Sequence, residues 1–343
     1  MPDTDPSKTN VKVEAWTFDV GDAGKNVDAF AEEVMHRVET AWSGGVNIVL
    51  LPEYLWAALE PLLPPDADME DIAKVVWVDL MPKLRQRLCI KGKRAVVGTA
   101  PYLDPATKHL YNRALIFSDS RVLHQDKLFL TPWEHEFRAG RELFVFEMSG
   151  LRVAVIICLD IEVPELSSRL RGLNIDLLLV PSATEPLYGS ERVTRCASAR
   201  AIELGCAVVV CPLVGKCDSS MVNVNLGRIA MYLPAMKAFE AYDRSEDTRL
   251  VHQGWHALRV EVPEAVIHEA HRRRKETNPS QLNVNLTPEE VQIDESARTP
   301  PARKIARRER IPAWHEVHFF PRTSFTNSSI KSIAFAMSSG AVA

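Results

Sequence analysis

The chain has 343 residues, 46% of them hydrophobic and 25% charged, with a formal net charge of -4. That suits one large globular domain with extensions, or two smaller domains, and gives no reason to expect a nucleic-acid or membrane-surface partner. The six cysteines, Cys89, Cys158, Cys196, Cys206, Cys211 and Cys217, form no CxxC pair and no regular secreted framework, so reduced intracellular thiols are expected.

The opening Met1-Pro-Asp-Thr-Asp-Pro6 is polar and lacks an apolar core, so no signal peptide is read; residues 1–10 are expected to be a loose arm. No stretch approaches the ~18 apolar residues of a membrane span, which leaves a cytoplasmic protein as the expectation. Val11 to Phe18 alternates as a first strand. Lys25 to Ser43 carries helical spacing (Val27, Phe30, Val34, Val38, Trp42), stopped by Gly44-Gly45. Val46 to Leu51 is an apolar strand that delivers Pro52-Glu53. Asp66 to Leu88 reads as a helix, Arg94 to Ala100 and Tyr111 to Phe117 as strands. Arg121 to Phe129 returns through a hairpin and carries Lys127.

Leu143 to Met148 and Leu151 to Ile157 form a further strand pair. The second ends abruptly in Cys158-Leu-Asp160. A helix over Glu162 to Leu173, a strand over Ile175 to Val180, a helix over 190–205 and a strand over Ala207 to Leu213 follow. Strands alternating with crossover helices predict α/β architecture with mixed sheets covered on both faces. Residues 272–343 have few apolar anchors and two basic runs interrupted by acids. They are read as a C-terminal extension, partly disordered or packed on a partner, which leaves 11–271 as the domain proper. There is no internal repeat, no Walker loop and no GxGxxG.

Glu53, Lys127 and Cys158 each follow or close a predicted strand, and in open α/β sheets ligands bind at that edge. The three groups complement one another. A carboxylate accepts a thiol proton and later gives it to a leaving amine. An ammonium lowers the pKa of a nearby thiol and donates to an oxyanion. A cysteine is a covalent nucleophile, and the N–H of Leu159 just beyond it would complete an oxyanion hole. No histidine is placed to make a Cys–His pair. Taken singly, each residue has a plainer reading. Glu53 suits a helix N-terminus, Lys127 a solvated strand, and Cys158 a small packed side chain. Asp160 is expected to cap N–H groups beyond Cys158. Cys196, Cys206, Cys211 and Cys217 are expected in the core, and Arg200 and Glu203 to pair along one helix.

Leu51-Pro-Glu53, Asp126-Lys127-Leu-Phe-Leu130 and Ile157-Cys158-Leu-Asp160 together resemble the three signature blocks of the nitrilase superfamily, the carbon–nitrogen hydrolases. Tyr111-Asn-Arg-Ala114, Phe137-Arg-Ala-Gly140, Val163-Pro-Glu-Leu166, Asp176 to Ser182 and Arg200-Ala-Ile-Glu203 fit in the same order, over roughly residues 11–262. The resemblance implies a four-layer α-β-β-α sandwich of two mixed sheets. It implies Glu53 as general base, Lys127 as oxyanion stabiliser with the Leu159 N–H, and Cys158 as nucleophile. It implies no metal and no cofactor. The family's second glutamate falls on Glu134, with Glu136 the other candidate, and Trp133 and Glu136 are candidate substrate contacts. Family habit also implies a homodimer or larger homo-oligomer. True nitrilases often carry Trp-Glu after the cysteine where this chain has Leu159-Asp160, and an acid, Glu162, stands where many members have an arginine or aromatic. The first departure favours an amide or N-carbamoyl substrate over a nitrile, and the second departs from the family's usual substrate contacts. Nitrile hydrolysis, acyl transfer to an amine, and a non-catalytic binding or scaffold role remain the alternatives.

Overall fold

A computed structural model of the chain describes residues 10–273 except Ser120, Gly172 and Ser220. The expected N-terminal arm and C-terminal extension lie outside these residues, apart from their inner edges. In chain order the elements are β1 (Val11–Trp16), β2 (Phe18–Asp19), α1 (Val27–Ser43), β3 (Ile48–Leu51), α2 (Met69–Lys74), α3 (Met81–Leu88), β4 (Arg94–Leu103), β5 (Leu110–Ser118), β6 (Arg121–Asp126), β7 (Val145–Met148) and β8 (Leu151–Val155). They continue with α4 (Pro164–Leu170), β9 (Leu177–Ser182), α5 (Tyr188–Leu204), β10 (Ala207–Lys216), β11 (Val224–Asn225), β12 (Ala230–Tyr232), β13 (Ser245–Asp247), β14 (Ala257–Val262) and α6 (Glu264–Arg273).

The strands form two mixed sheets, ordered β14-β1-β3-β4-β5-β6 and β13-β12-β10-β9-β8-β7, with β2 and β11 also paired to β10. Parallel pairs β1–β3, β3–β4, β8–β9 and β9–β10 sit at the centres, and antiparallel strands at the edges. Side-chain alternation sorts the layers. Ile48 and Leu50 of β3 pack with β8, β9 and β10 between the sheets, whereas Val49 and Leu51 pack outward with α1 (Phe30, Val34, Val38) and with Leu84 of α3. Val193, Ala197 and Ala201 of α5 and Leu166 and Leu170 of α4 cover the other sheet. This is the four-layer α-β-β-α arrangement.

Two features tie the sheets together. The chain leaves the first sheet at Trp16 and joins the second at Phe18, where β2 runs parallel to β10 at Leu213 and Val214. The crossing residue, Thr17, is fully buried: its N–H donates to His256 O at 2.8 Å and its hydroxyl to Gly254 O at 2.9 Å. On the other side the thiol of Cys211 in β10 donates to Trp16 O at 2.9 Å.

Local chemistry accounts for the ends of most elements. Asn26 caps α1 by accepting the Ala29 N–H at 2.9 Å, and Asp68 and Asp71 form a capping box on α2. The helix expected over Asp66 to Leu88 is instead two short α-helices joined by a π-helical stretch, Val75–Leu80. Pro82 has no N–H to give to a residue in that stretch, so the regular α-helical ladder is interrupted there. The expected helix from Glu162 shortens to α4 because Cys158–Glu162 is a 3-10 turn. The strand expected to reach Phe129 ends at Asp126, which leaves Lys127 just past its end. The chain after Glu53 is 3-10 helical over Leu55–Leu62, and α6 runs through the expected boundary at 271/272. Among the described residues, no helix is long and apolar enough to cross a membrane.

Of the four expected core thiols, Cys206 and Cys211 are buried, but Cys196, midway along α5, and Cys217, just past the end of β10, are only half-buried. Gly98 has φ +66° where the β4–β5 register shifts between Val96 and Thr99. An added β-carbon there would lie 2.6 Å from both Pro52 O and Leu55 Cβ, in the turn that carries Glu53. Gly98→Ala is therefore expected to lower stability by about 1–3 kcal/mol, through backbone strain and overpacking. Urea unfolding checks this, and an unchanged midpoint would contradict it.

Candidate active site

Glu53 follows β3, Lys127 follows β6, and Cys158 lies a few residues past the end of β8. All three are buried in one cluster, with Cys158 the most accessible at 6% exposure. The Lys127 ammonium donates to Glu53 Oε1 at 2.9 Å and to Glu134 Oε2 at 2.8 Å. Glu53 and Cys158 lie close enough that the carboxylate charge acts on the thiol. Glu53 Oε2 accepts the Ala183 N–H at 2.9 Å from the end of β9, and the Cys158 thiol lies 3.5 Å from Ala183 O. Four segments distant in sequence, around Glu53, Lys127 to Glu134, Cys158 and Ala183, thus meet at one place. None of the plainer single-residue readings survives, since the carboxylate, the ammonium and the thiol are mutual neighbours.

Backbone strain aims two of the residues. Cys158 has φ +48° and Tyr54 φ +54°, a left-handed conformation uncommon in residues with side chains and costly in free energy. At Cys158 the strand is broken by a sharp turn that lifts the thiol out of the sheet end. Asp160, two residues on, is 1% exposed and accepts the N–H groups of Leu128 at 3.1 Å and Phe129 at 2.7 Å. It therefore caps the loop behind Lys127, and not the residues beyond Cys158 as expected. Burial pushes its carboxyl up to about 7 against those two hydrogen bonds. Gly140 closes the other side of that loop: its N–H donates to Lys127 O at 2.8 Å, and a β-carbon there would lie 2.8 Å from Asp126 Cβ.

The two glutamates beside Lys127 have different surroundings. Glu134 accepts five hydrogen bonds. Its Oε1 takes the Tyr54 hydroxyl and, at 3.2 Å, the Asn112 amide; its Oε2 takes Lys127 and the Thr131 N–H and hydroxyl, each at 2.8 Å. Burial works against the Glu134 anion, but Lys127, Tyr54 and Thr131 outweigh it and hold the carboxyl below its ordinary value. Glu53 shares the Asn112 amide at 2.9 Å but has fewer donors. Burial pushes its carboxyl up, Lys127 pulls it back and Glu134 pushes it up again. Burial, then the Glu53 charge, pushes the Cys158 thiol well up, so it is neutral at rest. Lys127 is penalised by burial, yet Glu53, Cys158 and Glu134 together hold its ammonium above the ordinary lysine range.

Other candidates fall outside this cluster. Glu136 is exposed and 3.9 Å from His135, since in the turn after Thr131 it is Glu134 and Phe137, three residues apart, that face inward. Trp133 is 42% exposed, with its ring centroid 5.7 Å from that of Tyr54. Leu159 is half-buried in the 3-10 turn directly after Cys158. Arg200 pairs with Glu203 at 2.9 Å, Arg192 with Glu162 at 3.0 Å, and Arg195 with Glu191 at 2.9 Å. Among the described residues no group of three or more His, Cys, Asp or Glu side chains is placed to hold a metal ion. Sequence reasoning missed Tyr54, Thr131 and Ala183 as members of the cluster and noted Asn112 only as part of a block. The Ala183 contact is through backbone and has no side-chain signature.

A family model for carbon-nitrogen hydrolases matches residues 21–238. The probable hydrolase YhcX of Bacillus subtilis (strain 168) is 27% identical over 194 residues, 55% of this chain and 38% of that protein. The chain thus spans well under half the length of this curated relative. Among solved structures, XC1258 of Xanthomonas campestris, a CN-hydrolase superfamily protein with an arsenic adduct in its active site, superposes with TM-score 0.59 at 18% identity, covering 81% of this chain and 98% of that one. A variant of the amidase from Nesterenkonia sp. AN1, carrying the acetamide moiety of fluoroacetamide on its active-site cysteine, superposes with TM-score 0.55 at 18% identity, covering 78% and 98%.

A neutral thiol beside a carboxylate needs that carboxylate to react. In Glu53→Gln, alkylation of Cys158 by iodoacetamide at neutral pH is expected to slow on the order of 10²-fold, with Cys89 and Cys196 unaffected. Peptide mapping by mass spectrometry reads each thiol, and an equal Cys158 rate in both proteins would count against the arrangement.

Proposed function

The chain belongs to the carbon–nitrogen hydrolase family, and from that premise we propose that it cleaves a non-peptide amide or N-carbamoyl bond through a thioester on Cys158. The observation that carries this reading is Lys127 Nζ 2.9 Å from Glu53 Oε1, with Glu53 Oε2 and the Cys158 thiol both bonded to Ala183, one through its N–H and the other through its carbonyl. A scaffold has no use for such a group. Burying an ammonium with carboxylates costs several kcal/mol per ion before pairing, so its presence favours chemistry over stability as its reason.

The proposed sequence runs through these atoms. Cys158 Sγ attacks the substrate carbonyl carbon as its proton passes to Glu53. The new oxyanion is held by the Lys127 ammonium and the Leu159 N–H. The carbon–nitrogen bond breaks, the leaving nitrogen takes the proton from Glu53, and a thioester remains. Water then attacks with Glu53 again as base, and breaking the carbon–sulfur bond returns the proton to Cys158. Glu134, held as an anion, keeps Lys127 charged and in place throughout. The amidase neighbour, whose active-site cysteine carries the acetamide moiety of fluoroacetamide, supports the amide class. So does Leu159-Asp160 following the nucleophile in place of the Trp-Glu that often follows it in true nitrilases.

Cys158→Ala and Lys127→Ala are each expected to lose about 10²-fold or more of kcat/KM on a panel of short amides, N-carbamoyl compounds and nitriles. Turnover retained by Cys158→Ala would remove the proposal, and product analysis with an added amine separates hydrolysis from transfer. The pH profile follows from direction alone. Protonated Glu53 cannot take the thiol proton, and its pKa is raised, so activity should fall at a pH above the ordinary carboxylate value of about 4.3. Lys127 is shifted upward, so it should cause no alkaline loss below its ordinary value of about 10.4. An acid limb at the ordinary carboxylate position would contradict this assignment.

A further inference from the structure

Two carboxylates share one ammonium and one amide in this site, yet the mechanism above needs one of them to exchange protons and the other never to. Lys127 and Asn112 donate to both, so neither distinguishes them. The difference comes from Tyr54 and Thr131. Thr131 donates its N–H and hydroxyl to Oε2 of Glu134, the oxygen already bound by Lys127. Oε1 would be left with the Asn112 contact alone, at 3.2 Å, were it not for the Tyr54 hydroxyl. We infer that Tyr54 is a positioning residue of this site, whose hydroxyl occupies Oε1 of Glu134 and so reserves proton exchange for Glu53.

The side chain is built for that task. Tyr54 is fully buried, and its ring is fixed between Trp133 and Phe137, with centroids 5.7 and 6.3 Å away. Its backbone is held in the left-handed region at φ +54°, and its N–H donates to the buried Thr99 hydroxyl at 2.9 Å, one residue past the Gly98 bulge. A residue kept in a costly conformation and over-determined on every side marks a functional constraint. Adjacency adds to this: because Tyr54 directly follows Glu53, one short turn supplies both the exchanging carboxylate and the donor that locks its neighbour. Burial, then the charges of Glu134 and Glu53, push the phenol well up, so it stays a donor over the whole working range. The Asn112 Oδ1 is buried without a hydrogen-bond partner among the described residues, which shows the amide committed to the carboxylates through its nitrogen.

The inference rests on the proposed hydrolase reading, and its test is read without substrate. The full chain, labelled with carbon-13 at glutamate Cδ, is titrated by NMR as wild type and as Tyr54→Phe; Glu53→Gln and Glu134→Gln assign the two resonances. In the wild type the Glu134 signal should stay at its ionised position while that of Glu53 titrates. Tyr54→Phe keeps the ring and removes one donor to a charged group, so the Glu134 midpoint should rise by about one pH unit. A Glu134 titration identical in the two proteins would overturn the inference. If Tyr54→Phe does not fold, the Tyr54 Cζ resonance takes over: the phenol should ionise at lower pH in Glu134→Gln than in wild type, and an unmoved phenol would overturn it. Turnover of amides by the same samples judges the hydrolase reading separately. A wild type inactive towards every amide would count against that reading, while the titration still decides the role of Tyr54.

Discussion

The ammonium of Lys127, withdrawn from water between Glu53 and Glu134, sets the terms for everything around it. A lone buried charge of this kind loses its hydration and gains nothing in return, so it persists only with excellent partners. Here one partner arrives from the end of β3 and the other from the loop that carries Lys127 itself, and they hold it at 2.9 and 2.8 Å. The surrounding order exists to keep those distances. Asp160 pins the backbone just beyond Lys127, Gly140 lets the chain close over it, and Asn112 stops the two carboxylates from driving each other apart.

Identical carboxyl groups acquire different characters here through their neighbours alone. Glu134, with five donors, is fixed as an anion; Glu53, with burial dominating, is pushed towards the proton-bound form. Separating the two in this way is how a site obtains a permanent countercharge and a working base from the same residue type. The thiol follows the same logic. Burial and the Glu53 charge push the Cys158 thiol up, and in the proposed mechanism its proton passes to Glu53 only as the substrate is attacked.

Much of this was legible in the sequence, and the parts that were not have physical reasons. The apolar runs Ile48–Leu51 and Leu151–Val155 announce buried strands, with Glu53 and Cys158 two and three residues beyond them, and Lys127 directly follows the more polar strand Arg121–Asp126, all at sheet ends where ligands bind. That is why Glu53, Lys127 and Cys158 could be picked out before any coordinates. The π-helical stretch before Pro82, the left-handed turns at Tyr54 and Cys158, and the short strands β11 to β13 could not. Their conformations are imposed by tertiary contacts and run against local preference. Tyr54 was hidden for the same reason: as a sequence letter it is an ordinary aromatic after an acid, and only the distant Glu134 gives its hydroxyl a purpose. Asp160 was assigned a local cap because local partners are the natural first guess, whereas its partners lie 31 and 32 residues away.

The passage of a single strand path through Thr17, from β1 in one sheet to β2 in the other, has a mechanical consequence. With its backbone fixed to His256 and the Cys211 thiol tied to Trp16 beside it, the seam resists shear between the layers. The aperture between the two sets of strand ends is thereby clamped. Trp133, 42% exposed beside Tyr54, is then the kind of peripheral side chain whose rotation could open the way to Cys158 without moving the layers.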